Sequence, residues 1–167
     1  MPNTFTQIYI QLVFAVNGRQ SLISPSFKEI LFKYIGGTMR NANQKLIAIN
    51  GMPDHVHILV GLKPTVAISD FVKDIKVASS RFINDKKLVR GRFSWQEGFG
   101  AFSYSQSHLS RVARYIENQE RHHARRSFKE EYLSMLKSFQ IEYDERYLFK
   151  WIESQCEGRR LLTESSS

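Results

Sequence analysis

The stretch Thr6–Val16, TQIYIQLVFAV, alternates from end to end. Successive side chains on a strand point to opposite faces, so Ile8, Ile10, Leu12, Phe14 and Val16 share one side of a sheet. The opposite side carries Tyr9, Gln11, Val13 and Ala15 and is only partly polar. Asn17-Gly18-Arg19-Gln20 breaks the pattern, and Ser24-Pro25 opens a helix with Ser24 as N-cap and Pro25 at its first position. Phe27, Ile30, Leu31, Tyr34 and Ile35 follow helical spacing; Gly36-Gly37 weakens that helix without ending it. A second strand is expected over Lys45–Asn50 and a third over His55–Leu62, joined by the turn Gly51-Met52-Pro53-Asp54 as an antiparallel hairpin. A helix follows from about Ala67 to Asn84, with Ile68, Phe71, Val72, Ile75, Ala78, Phe82 and Ile83 as its stripe. After a basic loop over Asp85–Trp95 comes a short strand, Phe99–Tyr104. Ser107 is expected to cap one helix running to about Arg125, and a last helix covers about Phe128–Phe139. The order βαββαβ followed by helices predicts an α+β, ferredoxin-like antiparallel sheet with helices on one face, plus C-terminal helices.

A chain of this size forms a core unaided, since about 150 residues bury roughly 68–70% of the unfolded surface. One domain is expected over residues 1–160, with 161–167 as a disordered tail. Hydrophobic residues at 42% and aromatic residues at 13% exclude a disordered chain. The net charge of +8 points to a polyanionic partner, nucleic acid before an anionic membrane, with a merely basic cytosolic protein as the competing account. No apolar run approaches the roughly 20 residues of a membrane span. Met1-Pro2-Asn3-Thr4 lacks the basic start of a signal peptide. A lone cysteine, Cys156, forms no internal disulfide and fits a cytoplasmic protein.

Two pairs of residues carry chemistry. On a strand, His55 and His57 lie on one side, roughly 7 Å apart, while Val56, Ile58 and Val60 turn to the core. Two such imidazoles can converge on a divalent metal if a third ligand comes from elsewhere. The competing account is a pair of half-exposed histidines on a solvated sheet. Histidine-triad hydrolases need a third histidine where this chain has Leu59, and so are excluded. On the helix HLSRVARYIENQERHH, Arg111, Tyr115, Gln119 and His122 form a polar stripe, and residues four apart have Cβ atoms about 5–6 Å apart. A phenol with a pKa of about 10 becomes a nucleophile toward a phosphodiester only with a base or a metal-polarised substrate. Gln119 offers an amide oxygen suited to Mg2+ or Mn2+. The competing account makes Tyr115 a packing residue.

Together these residues resemble the single-tyrosine transposases of the histidine–hydrophobe–histidine class, the insertion sequence 200-like family. The resemblance spans about Phe5–Ile152. It rests on Gly51-Met52-Pro53-Asp54-His55-Val56-His57, on Trp95-Gln96-Glu97-Gly98-Phe99-Gly100-Ala101-Phe102-Ser103, and on Tyr115-Ile116-Glu117-Asn118-Gln119. It implies a homodimeric enzyme in which Tyr115 attacks single-stranded DNA bearing hairpin ends, leaving a 5′-phosphotyrosine and a free 3′-hydroxyl. His55, His57 and Gln119 would hold the metal. A non-mobile relative that processes genomic hairpin repeats would carry the same residues. An RRM-like binding module would instead want aromatics on its central strands.

From Arg81 to Arg126 ten basic residues face four acidic ones. Arg81, Lys86, Lys87, Arg90, Arg92, Arg111, Arg114 and Arg121 are the expected DNA contacts, with His122 beside them and Trp95 as a candidate stacking platform. Phe93, Phe99 and Phe102 are nearby alternatives; core packing is the competing account for all four, favoured for Phe102 and left open for Trp95. His108, His122 and His123 are expected at the surface or on phosphates, and Glu97 is a possible site carboxylate.

Overall fold

The computed structural model describes residues 3–152. Cys156 and the expected tail over 161–167 lie outside them. The strands are β1 (Tyr9–Ala15), β2 (Lys45–Met52), β3 (His55–Gly61) and β4 (Gly100–Tyr104). The helices are α1 (Pro25–Asn41), α2 (Ile68–Asp85), α3 (Leu109–Glu117), α4 (Gln119–His123) and α5 (Phe128–Ser138). The sheet order is β2-β3-β1-β4 with every neighbouring pair antiparallel, the split βαβ arrangement expected. No helix among the described residues is long and apolar enough to cross a membrane.

The register of β1 on β3 sorts the two faces. Leu12 lies opposite Ile58 and Phe14 opposite Val56, and this face meets the buried stripes of α1 and α2. Ser24 caps α1 by accepting from the Ser26 amide at 3.2 Å. Phe27, Leu31, Ile35 and Met39 are buried in that helix, whereas Ile30 stays 54% exposed. Half-buried Phe82 stacks on Tyr34 at 4.2 Å between α1 and α2.

The other face carries Gln11, Val13, Ala15, His55, His57, Leu59 and Phe102, and the C-terminal helices cover it. Leu59 packs with Ala48, Val112 and Ile116, while Phe102 meets Tyr132 and Phe139. Gln11, on the face that the sequence marks as only partly polar, is therefore 1% exposed. With both faces covered, no open aromatic platform of the RRM kind exists among the described residues.

The single helix expected from Ser107 to Arg125 is divided. Asn50 of β2 donates from its side chain to the Glu117 carbonyl at 3.0 Å, and the Arg121 amide turns to Asn118 O instead. The chain breaks at Asn118 between α3 and α4. Ser107 does not cap the helix: Gln106–His108 forms a 3-10 turn, and His108 occupies the N-cap without a capping bond from its side chain.

Lys76 anchors the loop before β4. Its Nζ donates to the carbonyls of Gln96 at 2.8 Å and Gly98 at 2.6 Å. Lys76→Met should therefore destabilise the fold by about 0.5–1.5 kcal/mol in denaturant melts, the usual net worth of a hydrogen bond whose acceptors keep access to water. Burial lowers the Lys76 pKa from 10.5 to about 8, so the unfolded chain binds more protons between those values. This side chain's contribution should make wild-type stability rise with pH across that window, and Lys76→Met should flatten the rise.

Candidate metal and tyrosine site

The site is built from β3 outward. The hairpin before it is tight: at Gly51 a Cβ would overlap the His55 carbonyl oxygen, so only glycine allows β2 to return this closely. His55 and His57 sit side by side on β3, their rings 5.0 Å apart, and both are fully buried. The outer nitrogen of each ring is engaged. Asp54 Oδ1 lies 2.7 Å from His55 Nδ1, and Gln11 Nε2 lies 2.8 Å from His57 Nδ1. Tyr104 donates to Gln11 Oε1 at 2.9 Å, fixing the amide in its turn. Such outer partners set ring orientation at metal-binding histidines.

Both Nε2 atoms point inward, toward Glu131 of α5. Glu131 Oε1 accepts from His57 Nε2 at 2.8 Å and lies 3.2 Å from His123 Nε2 and 3.4 Å from His55 Nε2. Gln119 Oε1 lies 3.3 Å from His55 Nε2 and 3.0 Å from His123 Nε2. The Tyr115 hydroxyl donates to Glu131 Oε2, which also accepts from Gln119 Nε2 at 3.3 Å. The Tyr115 ring is 6.3 Å from His57 and stacks on His122 at 4.3 Å.

One ligand atom each from His55, His57, His123 and Glu131 falls within 4.8 Å of all the others, a donor set suited to a metal ion. Its electrostatics are those of a carboxylate among imidazoles. Burial alone would raise the Glu131 pKa, but bonds from His123, His55 and His57 hold it far below the usual carboxylate range. Burial pulls His55 down, yet Asp54 and Glu131 outweigh it and raise this imidazole. For His57, burial prevails over Glu131 and lowers it. Burial and then Glu131 push the Tyr115 phenol well above its ordinary value, against the pull of Arg126.

The structure thus brings His55, His57, Tyr115 and Gln119 together as spaced in the sequence, with His122 against Tyr115. Four further residues escaped sequence reasoning. His123 lies four residues past Gln119 and turns into the site, contrary to the surface position expected. Glu131 lies three residues after Phe128 on the buried side of α5, and the only sequence signal is a carboxylate on that helix's apolar stripe. Asp54 immediately precedes the histidine pair, and Gln11 is the one amide on that face of β1. Glu97 is exposed in the loop before β4 and takes no part in this donor set.

The expected DNA contacts divide differently. Arg81, Lys86, Lys87, Arg90, Arg92, Arg111, Arg114 and Arg121 are all exposed. Trp95 is not a surface platform. It is 8% exposed, packs edge-on to Phe14 and Phe93, and donates its indole N–H to Ser79 at 2.9 Å. Its ring has no free face to offer a base, because the segment after the basic loop pairs with the end of β1 at Val16.

A ferredoxin-like sheet with a histidine–hydrophobe–histidine strand and a tyrosine helix folded against it defines a class of sheet-borne sites with metal-binding potential. A model of the IS200-like transposase family matches residues 4–119, and the chain belongs to that family of transposases. It is 27% identical over 118 residues to the ISDra2 transposase TnpA of Deinococcus radiodurans, covering 68% of this chain and 84% of that one. A solved structure assigned as a transposase from Deinococcus radiodurans superimposes with a TM-score of 0.55 at 25% identity, covering 70% of this chain and 94% of the other. The REP-associated tyrosine transposase, solved bound to a REP hairpin, gives 0.55 at 14% identity over 92% and 93% of the two chains, a likeness of fold.

Proposed function

We infer that this transposase cleaves and rejoins single-stranded DNA through Tyr115, with Mg2+ or Mn2+ held by His55, His57 and Gln119. The observation that carries this is the meeting of the Tyr115 hydroxyl and the histidine cluster on Glu131, all within one chain. The Tyr115 oxygen would form a bond to phosphorus while the bond from phosphorus to the 3′ oxygen breaks. The products are a 5′-phosphotyrosine and a 3′-hydroxyl. That hydroxyl can attack another phosphotyrosine, so rejoining needs no ATP. The phenol proton would pass to solvent by way of Glu131 Oε2, its hydrogen-bond acceptor, and the leaving 3′ oxygen would take a proton from solvent. A bound divalent cation would polarise the scissile phosphate and stabilise its charge. Because tyrosine and histidines already meet in one chain, each copy of a homodimer would carry a complete site and hold one hairpin end.

The test is incubation of the protein with labelled single-stranded hairpin DNA and a divalent cation, followed by denaturing electrophoresis. A covalent protein–DNA adduct is expected; its absence with cognate element ends would sink the proposal. The exposed arginines bear on affinity. Arg111→Ala combined with Arg114→Ala should reduce the salt slope of hairpin binding by about 1.4, at roughly 0.7 per phosphate contact to a single strand. An unchanged slope in filter-binding titrations would remove both residues from the DNA path.

A further inference from the structure

We propose that Arg126 is a catalytic residue of this transposase, its guanidinium holding the nonbridging oxygens of the scissile phosphate while Tyr115 attacks. The proposal rests on Tyr115 as the nucleophile and adds the group that receives the phosphate. The family match ends at residue 119, ahead of Arg126.

Geometry carries the argument. Arg126 lies in the short connector between α4 and α5, and both of its flanks are fixed. Its amide donates to the His122 carbonyl at 3.2 Å. The His122 ring stacks on the Tyr115 ring, with centroids 4.3 Å apart and planes inclined by 27°. Arg126 therefore continues a column that begins at the tyrosine. On its other side, Ser127 and Glu130 close the capping box of α5 through two bonds of 3.2 Å. Phe128 follows, buried, and stacks on His55 at 3.9 Å. The connector is thus held between the ring partner of Tyr115 and the histidine strand. Burial and Glu131 raise the phenol pKa, and the Arg126 guanidinium beside it pulls the other way.

The two charged neighbours of the phenol differ in access. Glu131 is fully buried and accepts from the hydroxyl. Arg126 is exposed and has no ion-pair partner among the described residues. A phosphodiester is an anion, and the buried carboxylate repels it. It reaches the Tyr115 oxygen from the solvent side, where the guanidinium stands. A planar fork of donors with a permanent charge matches two phosphate oxygens at once. As the bond from the Tyr115 oxygen to phosphorus forms and the bond to the 3′ oxygen breaks, the nonbridging oxygens keep their negative charge. A donor pair fixed at that place stabilises it. Arg126 thereby acts on the rate of cleavage, in contrast to the affinity expected from Arg111 and Arg114.

The experiment measures adduct formation by the full chain, in excess over labelled hairpin DNA, with Mg2+ or Mn2+ present. Two substrates are compared: the ordinary diester, and a methylphosphonate in which a methyl group replaces one nonbridging oxygen at the scissile position. Arg126→Ala should slow the diester reaction by about 10²–10³-fold, the scale of losing one donor to transition-state charge. On the uncharged methylphosphonate the loss should stay below about 10-fold, because the guanidinium has no anion to meet there. An unchanged diester rate in Arg126→Ala overturns the proposal. So does an equal loss on both substrates, which marks a structural role, or a loss that more protein restores, which marks an affinity contact. If the methylphosphonate is inert even to the unsubstituted protein, Arg126→Lys decides: it keeps the charge without the fork and should recover at least about 10-fold over Arg126→Ala. A lysine variant no faster than the alanine one overturns the proposal. The two readings fail separately. Full adduct formation by Arg126→Ala removes Arg126 and keeps Tyr115, whereas no adduct from the unsubstituted protein removes both.

Discussion

Tyr115→Phe is expected to bind hairpin DNA as the unsubstituted protein does and to form no covalent adduct. The substitution removes one oxygen from a half-buried ring that otherwise packs unchanged against His122. The lost oxygen is the only atom of that residue able to bond to phosphorus. Cleavage should fall to background, by at least about four orders of magnitude, the scale of losing a covalent nucleophile. Removing a hydroxyl also frees Glu131 Oε2 from one bond, but Gln119 Nε2 still reaches it at 3.3 Å. Thermal melts should therefore move little. An adduct that survives Tyr115→Phe would show that another group attacks.

His57→Ala carries the second large effect. His57 makes the shortest of the imidazole contacts to Glu131, at 2.8 Å, and receives Gln11 on its other nitrogen. Alanine removes a proposed ligand, strands the Gln11 amide, and leaves Glu131 with its two remaining histidines. Cleavage should disappear at any cation concentration that keeps the protein soluble. Hairpin binding should persist, because the exposed arginines lie outside the buried donor set. The fold should lose about 1–3 kcal/mol through unpaired buried groups, leaving it folded at room temperature. Joint loss of cleavage and hairpin binding would assign the histidine a structural role.

These two predictions draw on residues of different legibility. His55 with His57, and Tyr115 with Gln119, are each held by local periodicity, which a sequence displays directly. Strand spacing places the first pair on one face. Helical spacing places the second pair together even though α3 ends between them. Glu131 follows His57 by 74 positions and reaches it only because α5 folds across the second face of the sheet. Nothing in the period of α5 says which sheet face it will cover. His123 was misplaced for a similar reason, since a histidine near the end of a short basic helix looks solvated until α5 closes over it. Trp95 shows the converse: an aromatic next to Arg90 and Arg92 leaves a base platform and the core both open, and pairing of that segment with Val16 draws the ring into the core.

Local pattern alone sets the order of the four strands and of α1 and α2 between them, the inward set of the first sheet face, and the two chemical pairs. Those features depend on interactions within a few residues or on one element's own period. The tertiary structure decided that the histidine pair is buried rather than solvated. It also decided that the tyrosine helix breaks at Asn118, and that a carboxylate from α5 stands between the imidazoles and the phenol. Each of these depends on which surfaces meet, and the free energy of that meeting comes from apolar area shared between distant segments. The histidine–hydrophobe–histidine strand therefore announced where a site would be, while the packing of the C-terminal helices determined what surrounds it.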